Sequence, residues 1–341
     1  MVFCSGLGMI SPSAYVANGS RYYYTRLTNE QKTIYSTMLL GLTRFSKKME
    51  VSIRPINETS MVFNSVLLDN PSIFYVSTFI QENDLYKGKC IIIPEYSHTR
   101  QENKELQRII SEYLLAFDAI KAKNDSYKEL FIHDFCLNHF IYDYSCGDYS
   151  HTILGPVLNK AAVCEGIAKF AKLVFDYIGL SSLIVVGKAR NLFDEDDEME
   201  DHSWNIVRIE EKTYHLDITF DISLTDKIKR YDYFNLSDED IKKEHIVVSD
   251  TPKCAAAGED YYSTNSLLAY KPIEFENQIR AGLIHGKKSI VVKLMNAQYS
   301  DKTVDKIKEI ARRQYTSIFK RTTMLQVRSN PHQMVFEINF K

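Results

Sequence analysis

Apolar residues recur every three or four positions in several long stretches of the chain, which is the spacing of amphipathic helices. The first stretch begins at Thr28-Asn29-Glu30-Gln31, which has the spacing of a capping box. A later one ends at Gly179, since glycine readily takes the left-handed conformation found just past a helix end. The predicted helices cover 29–45, 57–69, 101–140 with a break and a new N-cap near Asn124, and 162–178.

Short runs rich in β-branched and aromatic residues predict strands elsewhere. These runs are Ile73–Ile80, Lys89–Ile93, Leu183–Ala189, Ser203–Ile209 and Thr213–Phe220. The turn Glu210-Glu211-Lys212 joins the last two into a predicted antiparallel hairpin. Towards the C-terminus, Ser289–Leu294, Thr303–Gln314, Met324–Arg328 and Met334–Asn339 follow the order strand, helix, strand, strand. The chain is therefore expected to be an α+β protein that ends in a βαββ unit.

A length of 341 residues favours two or three compact regions. The changes of pattern divide the chain into an N-terminal tail at 1–20, an α+β segment at 21–125, a central core at 126–265 and the βαββ unit at 266–341. The tail carries no charge and is mostly apolar up to Ile10, so it is either a remnant of an export signal or a frayed terminus. The first alternative places the protein outside the cell or at its surface, and the second leaves it in the cytoplasm.

The charge balance excludes one broad class of partner. Lys and Arg number 42 against 44 Asp and Glu, which leaves a net charge of −2 rather than the basic surplus that nucleic-acid binding needs. No apolar run reaches the roughly 18 residues of a transmembrane helix. Nucleic acid and a membrane span are therefore not expected.

Six cysteines are widely separated and include no Cys-x-x-Cys pair, which argues against a disulfide framework and a zinc ribbon. His133, Cys136 and His139 are three residues apart on a predicted helix, but no fourth ligand follows at a suitable distance. No metal and no cofactor is predicted from these residues.

Cys164 is the cysteine with the most specific surroundings. It lies in the first turn of a predicted helix, where the free N–H groups and the helix dipole favour a thiolate. The alternative is a small buried apolar residue, as most free cysteines are. His202 opens the first strand of the predicted hairpin and Asp217 lies on the second, so the chain also supplies an imidazole and a carboxylate.

The register of the hairpin can be worked out from the turn. Paired positions have an index sum of about 421 or 422, which places His202 opposite Thr219 and diagonal to Asp217. Apolar residues alternate along the second strand, so Asp217 is expected to point to the other face. A thiolate, an imidazole and an orienting carboxylate are the parts of a cysteine nucleophile system. Asp221 is the alternative carboxylate, but it follows the predicted strand.

Three blocks of sequence around these residues resemble the transglutaminase-like superfamily, in its bacterial branch. The blocks are Ala162-Val163-Cys164-Glu165-Gly166-Ile167-Ala168-Lys169, His202-Ser203-Trp204-Asn205-Ile206-Val207 and Tyr214-His215-Leu216-Asp217-Ile218-Thr219-Phe220-Asp221. The core of the resemblance covers about 130–222, and Asp69–Tyr75, Tyr233–Asp238, His245 and Cys254 are similar to flanking elements of clostridial-type members. The resemblance implies a papain-like α+β core with Cys164 on a helix packed against a sheet that bears His202 and Asp217.

The same resemblance implies the chemistry. The superfamily contains crosslinking transglutaminases, peptidases, amidases and members without activity. It implies cysteine-dependent acyl transfer on protein or peptide amides through a thioester, with Cys164 as nucleophile, His202 as base and acid, and Asp217 as its orienting group. The Cys164 backbone N–H, assisted by Tyr142 or Trp204, is the candidate oxyanion donor.

Two choices of function stay open at this stage. Hydrolysis is preferred to crosslinking because no site for an acceptor amine is recognisable. The competing class is a non-catalytic module that keeps the fold in order to bind a protein or cell-wall partner. His215 alternates with core residues and is expected to be a hydrogen-bonded structural histidine.

An acidic run of seven carboxylates, Asp194-Glu195-Asp196-Asp197-Glu198-Met199-Glu200-Asp201, immediately precedes His202. Such runs are typical of solvated loops. The functional alternatives are attraction of cationic substrates and binding of Ca²⁺ through oxygen ligands, which animal members of the superfamily use.

Overall fold

The computed structural model describes residues 21–145, 147–190 and 198–341. Helices alternate irregularly with sheets whose strand pairs are mostly antiparallel, so the predicted α+β class is confirmed. Within these residues, no helix is both long and apolar enough to cross a bilayer. The described chain divides into two compact units, one reaching Val186 and including His202–Glu211, the other formed by Gly187–Asp201 and Lys212–Lys341.

The first unit begins with helices and a small antiparallel sheet. The elements are α1 (Tyr22–Arg26), α2 (Asn29–Thr43), β1 (Met49–Ser52), α3 (Ile56–Asp69), β2 (Val76–Asp84) and β3 (Lys89–Tyr96). The predicted capping box is present, because Thr28 accepts from the Gln31 N–H and the Gln31 side chain accepts from the Thr28 N–H. The strand order is β1-β3-β2, and β1 is an element that the sequence pattern does not reveal.

Asp69 anchors the start of the described chain. Its buried carboxylate accepts hydrogen bonds from the backbone N–H groups of Tyr23 and Tyr24 and from the Tyr35 hydroxyl. Burial raises the pKa of Asp69 to about 6, while the two backbone hydrogen bonds act in the opposite direction. The short α1 helix is thereby attached to the end of α3.

The remainder of the first unit consists of three longer helices with short strands between them. The elements are α4 (Arg100–Leu114), a 3₁₀ helix (Leu115–Ile120), α5 (Asp125–His139), β4 (Ile141–Tyr142), β5 (Ala161–Ala162) and α6 (Cys164–Ile178). Asn124 caps α5 through its side chain, and Gly179 ends α6 with φ of 75°, both as predicted. The apolar residues of α6, including Phe170 and Phe175, are fully buried.

The chain then runs through β6 (Ser182–Arg190) and β7 (Met199–Ile209), turns at Glu210 and Glu211, and enters β8 (Lys212–Leu216). The prediction of one strand over Thr213–Phe220 is wrong beyond Leu216. Residues Ile218–Leu224 form a short helix, α7, and the Asp217 side chain caps it by accepting from the Phe220 N–H. Asp217 therefore lies at a helix start rather than on a strand.

The second unit ends in the predicted βαββ arrangement, preceded by a helix that the sequence analysis does not identify. The elements are α8 (Asp238–Ile241), β9 (His245–Val247), α9 (Tyr261–Thr264), β10 (Leu268–Ala269), α10 (Pro272–Ile284), β11 (Ser289–Leu294), α11 (Asp301–Phe319), β12 (Leu325–Asn330) and β13 (Val335–Phe340). The sheet order is β10-β11-β13-β12. One side of this sheet packs on α10 and α11 through a core that includes Phe275, Ile279, Ile310 and Phe336.

Candidate active site

Cys164 is the first residue of α6, as the sequence predicts. Its N-cap, Val163, has an apolar side chain that makes no capping hydrogen bond. Cys164 is partly exposed, whereas Cys90, Cys136 and Cys254 are buried. Burial raises the pKa of each of these three thiols, that of Cys254 to about 12. Among the cysteines of the described ranges, Cys164 alone combines solvent access with a helix N-terminus.

The first turn of α6 packs closely on a short 3₁₀ helix, Gly147–His151, that precedes it in the chain. A Cβ atom at Gly166 would lie 2.2 Å from the Ser150 carbonyl oxygen and 2.9 Å from Ala162 Cβ. Glycine is therefore required for this approach, which fixes the position of the residue two places before it, Cys164. Glu165 lies 3.1 Å from His151 Nδ1 and forms an ion pair with Lys169 at 2.6 Å, on the more exposed side of the turn.

His202 lies on β7 and is 8% exposed. Its ring stacks on Trp204, with centroids 5.8 Å apart and an interplanar angle of 22°. Trp204 is itself buried, so it supports the imidazole rather than lining open space.

Asn205 connects this strand to the cysteine helix. Its buried amide group donates to the Ala168 carbonyl oxygen at 3.0 Å and to Leu183 at 3.4 Å. Ala168 is one helical turn beyond Cys164, and Asn205 follows His202 by three residues. The His202 strand is thus tied to the first turns of α6, a link that the polar residue inside an apolar strand could have signalled.

Tyr142, the candidate oxyanion donor, is on the short strand β4. It pairs in parallel with Ala162, two residues before Cys164, and the Asp143 N–H donates to the Ala162 carbonyl. The Tyr142 hydroxyl is 2.9 Å from that of Tyr144, and the side chain is 38% exposed. The β4–β5 pairing places the Tyr142 backbone beside the segment that leads into Cys164, and the role of Tyr142 as an oxyanion donor stays a prediction.

In the second unit, Asp217 is completely buried, and each oxygen of its carboxylate has a hydrogen-bond partner. One oxygen accepts from the Phe220 N–H, and the other is 2.9 Å from His245 Nε2. His245 is also completely buried and packs against Phe220. Sequence reasoning named His245 only as part of a flanking element and missed this contact, because a lone histidine on a three-residue strand carries no local signal.

Asp221 is the alternative carboxylate, and its contacts distinguish it from Asp217. It is buried on α7 and accepts from the Tyr233 backbone N–H at 3.2 and 3.3 Å. That contact fixes the segment that follows α7, so the Asp221 carboxylate has a structural role. His215 is buried and hydrogen-bonded to Asp238 at 3.0 Å, as expected for a structural histidine, and burial lowers the pKa of its imidazole.

Several predicted features lie wholly or partly outside the described residues. The tail at 1–20 and Asp194–Asp197 of the acidic run are among them. Of the remaining acidic residues, Asp201 is highly exposed and lies 3.6 Å from Lys188, which is the behaviour of a solvated side chain. Binding of Ca²⁺ by this run stays a hypothesis. In α5, the His139 ring stacks on Phe135, while His133 and Cys136 are buried.

A separate cavity of about 640 Å³ is present within the second unit. It lies beside α10 and β11, and its wall includes the stacked rings of Tyr231 and Tyr261 together with His285 and Lys287. None of the residues proposed from the sequence as catalytic lines this cavity.

Comparison with known proteins gives only distant likenesses. No protein-family model and no curated protein matches the chain. One solved structure that is similar in part is described as a TGase, with 14% identity, a TM-score of 0.30 and coverage of 54% of this chain and 53% of that one. Another is described as a candidate cysteine protease from Cytophaga hutchinsonii. It has 14% identity and a TM-score of 0.28, and the match covers 42% of this chain and 62% of that one. The chain thus spans between half and two thirds of the length of these structures.

Proposed function

We propose that the protein is a cysteine-dependent acyl-transfer enzyme that acts on protein or peptide amides, with Cys164 as nucleophile and His202 as base. The observation that carries the proposal is the hydrogen bond from Asn205 to Ala168, which ties the His202 strand to the helix that begins with Cys164. The sequence blocks around both residues, with their resemblance to the transglutaminase-like superfamily, support the same assignment.

The chemistry follows from the residue types. The Cys164 thiolate attacks the carbonyl carbon of the amide, and the backbone N–H groups at the start of α6 stabilise the oxyanion. His202 gives a proton to the departing amine or ammonia, and a thioester remains. His202 then takes a proton from water, which attacks the thioester and releases the acid and the thiolate.

The orienting role is assigned to Asp217 on the basis of the sequence block in which it lies. The hydrogen bonds to Phe220 N–H and to His245 hold this carboxylate in one orientation, which suits a group that must fix a histidine tautomer. Asp221 is a poorer choice because both of its oxygens face the Tyr233 backbone N–H, whereas one oxygen of Asp217 is bonded to an imidazole. Hydrolysis is proposed ahead of amine transfer, since no motif in the sequence indicates an acceptor-amine site.

An activity-based probe provides the test. A peptide library with a thiol-reactive acyl group is incubated with the full chain, and the labelled residue and the processed peptides are identified by mass spectrometry. We expect labelling and product formation with the native chain and a loss of both in Cys164→Ala. The matched control is Cys90→Ala, which removes a buried thiol elsewhere in the first unit and should retain activity.

Amine transfer is measured in the same assay by adding a primary amine with a fluorescent tag. Incorporation of the amine in preference to hydrolysis would assign a crosslinking enzyme. A folded chain that neither reacts with the probe nor processes any peptide would contradict the proposal and favour a binding module.

A further inference from the structure

A second group of cysteine, histidine and aspartate side chains lies within the second unit and is not needed for acyl transfer. His215, Asp238 and Cys254 each place one ligand atom within 4.8 Å of the other two. His215 and Cys254 are completely buried, and the Asp238 side chain is 26% exposed. From these residues we propose that His215, Asp238 and Cys254 bind a zinc ion that stabilises the second unit.

The donor set is one that zinc prefers. Zinc takes imidazole nitrogen, thiolate sulfur and carboxylate oxygen at about 2.0–2.3 Å in a tetrahedral arrangement. The His215 Nε2 and Asp238 Oδ1 atoms are already 3.0 Å apart, close to the edge of about 3.3 Å that such a tetrahedron has. Cys254 Sγ lies within 4.8 Å of both atoms, whereas a thiolate in such a tetrahedron is about 3.5 Å from the other ligands, so the sulfur must approach by no more than about 1.5 Å. The exposed side of Asp238 leaves access for the ion and for water as the fourth ligand.

The backbone holds all three ligands in place before any ion binds. The backbones of His215, on β8, and Leu236 exchange two hydrogen bonds of 2.9 Å. Since Leu236 is two residues before Asp238, this pairing holds Asp238 near His215. Asp238 N–H donates to the Cys254 carbonyl at 2.8 Å, and Cys254 N–H donates to Asp238 Oδ2 at 3.1 Å. Such prior ordering lowers the entropy cost of assembling a metal site.

Binding changes the protonation of the cluster in a defined way. The Cys254 thiol loses its proton to solvent as the sulfur–zinc bond forms. His215 releases the Nε2 proton to solvent and takes one up at Nδ1, so that the neutral ring binds zinc through Nε2 in place of its hydrogen bond to Asp238. No electron transfer is involved. The proposal differs from the acyl-transfer function in residues and in readout, so either can fail without the other.

Cobalt titration of the full chain tests the proposal. The Cys164→Ser variant is used as background, so that this thiol contributes no thiolate ligand. After dialysis against a chelator, one equivalent of Co²⁺ should bind and give a thiolate-to-cobalt charge-transfer band, which one equivalent of Zn²⁺ should remove. Adding Cys254→Ser should abolish the band, whereas Cys90→Ser should leave it unchanged. Asp238→Asn should weaken binding at least about tenfold.

X-ray absorption of the zinc-loaded Cys164→Ser chain identifies the zinc ligands directly, and it does not depend on whether the Cys254 variant folds. A first coordination shell of one sulfur with nitrogen and oxygen is expected. Either a shell without sulfur, or a charge-transfer band that persists in Cys254→Ser, would overturn the proposal, as would the absence of any cobalt band.

Discussion

The two units each contain a cysteine and a histidine of interest, but the two pairs have opposite environments. Cys164 is partly exposed at a helix start, and His202, the base in the proposed function, belongs to the same unit. Cys254 is completely buried in a loop, where its N–H is bonded to the carboxylate that also holds His215. Identical residue types therefore suit different tasks, because exposure and backbone geometry decide whether a thiol can reach a substrate or only an ion.

The largest effect expected from this difference is in alkylation. Iodoacetamide at mildly acidic pH should modify Cys164 at least about a hundred times faster than Cys254, since a buried thiol reacts only when its surroundings open. Mass spectrometry of the digested protein gives both rates from one sample. Denaturation should remove the difference. Similar alkylation rates for Cys164 and Cys254 in the native chain would contradict the difference in exposure and reactivity inferred for the two thiols.

Replacing the histidine of each unit in turn sharpens the comparison between the two cysteines. His202→Ala should slow alkylation of Cys164 about tenfold, because the variant lacks the residue that the proposed function assigns as the base for this thiol. His215→Ala should leave that rate unchanged but lower the free energy of unfolding by about 1–3 kcal/mol, because Asp238 loses a buried hydrogen-bond partner. The rate of Cys164 labelling and the free energy of unfolding in urea are measured for both variants. Slower labelling in His215→Ala with an unchanged rate in His202→Ala would contradict the roles assigned to the two histidines.

The two glycines of the cysteine helix give the smallest effect. Gly166→Ala places a methyl group 2.2 Å from the Ser150 carbonyl oxygen, so the first turn of α6 must shift and labelling of Cys164 should slow severalfold. Gly179→Ala introduces strain at φ of 75° but meets no atom within 4 Å. It should cost about 1 kcal/mol in stability and leave labelling unchanged. Equal labelling of both variants would show that the packing at Gly166 does not position Cys164.

Local signals in the sequence correctly predict much of the fold. Thr28 and Gln31 form the capping box, Asn124 caps its helix, and Gly179 ends the helix that starts at Cys164. These predictions of helix ends are correct because a cap depends on residues only a few positions apart. The helix Pro272–Ile284 was missed although Pro272 at its start and Glu274 in its first turn were visible signals.

The error after β8 has a different cause. Alternation of Leu216, Ile218 and Phe220 favours a strand, but Ile218 and Ile222 are also one helical turn apart, so both patterns bury apolar residues. The side chain of Asp217 decides the outcome by capping the helix. The contact between Asp217 and His245 could not be predicted, because it joins positions 28 apart that no local pattern relates.

The reciprocal hydrogen bonds between Asp238 and Cys254 also bear on the order in which the chain folds. They join positions 16 apart, and closing a loop of that length costs about 2.5 kcal/mol of chain entropy. The backbone bond from Asp238 to Cys254 contributes about 1 kcal/mol and the bond from the Cys254 N–H to the Asp238 carboxylate about 1.5–3 kcal/mol, so the two together only roughly balance this cost. The loop should therefore close after the sheet beside it has formed, and it should open first in native-state hydrogen exchange, where amides at 239–253 would exchange earlier than those of β11 and β13.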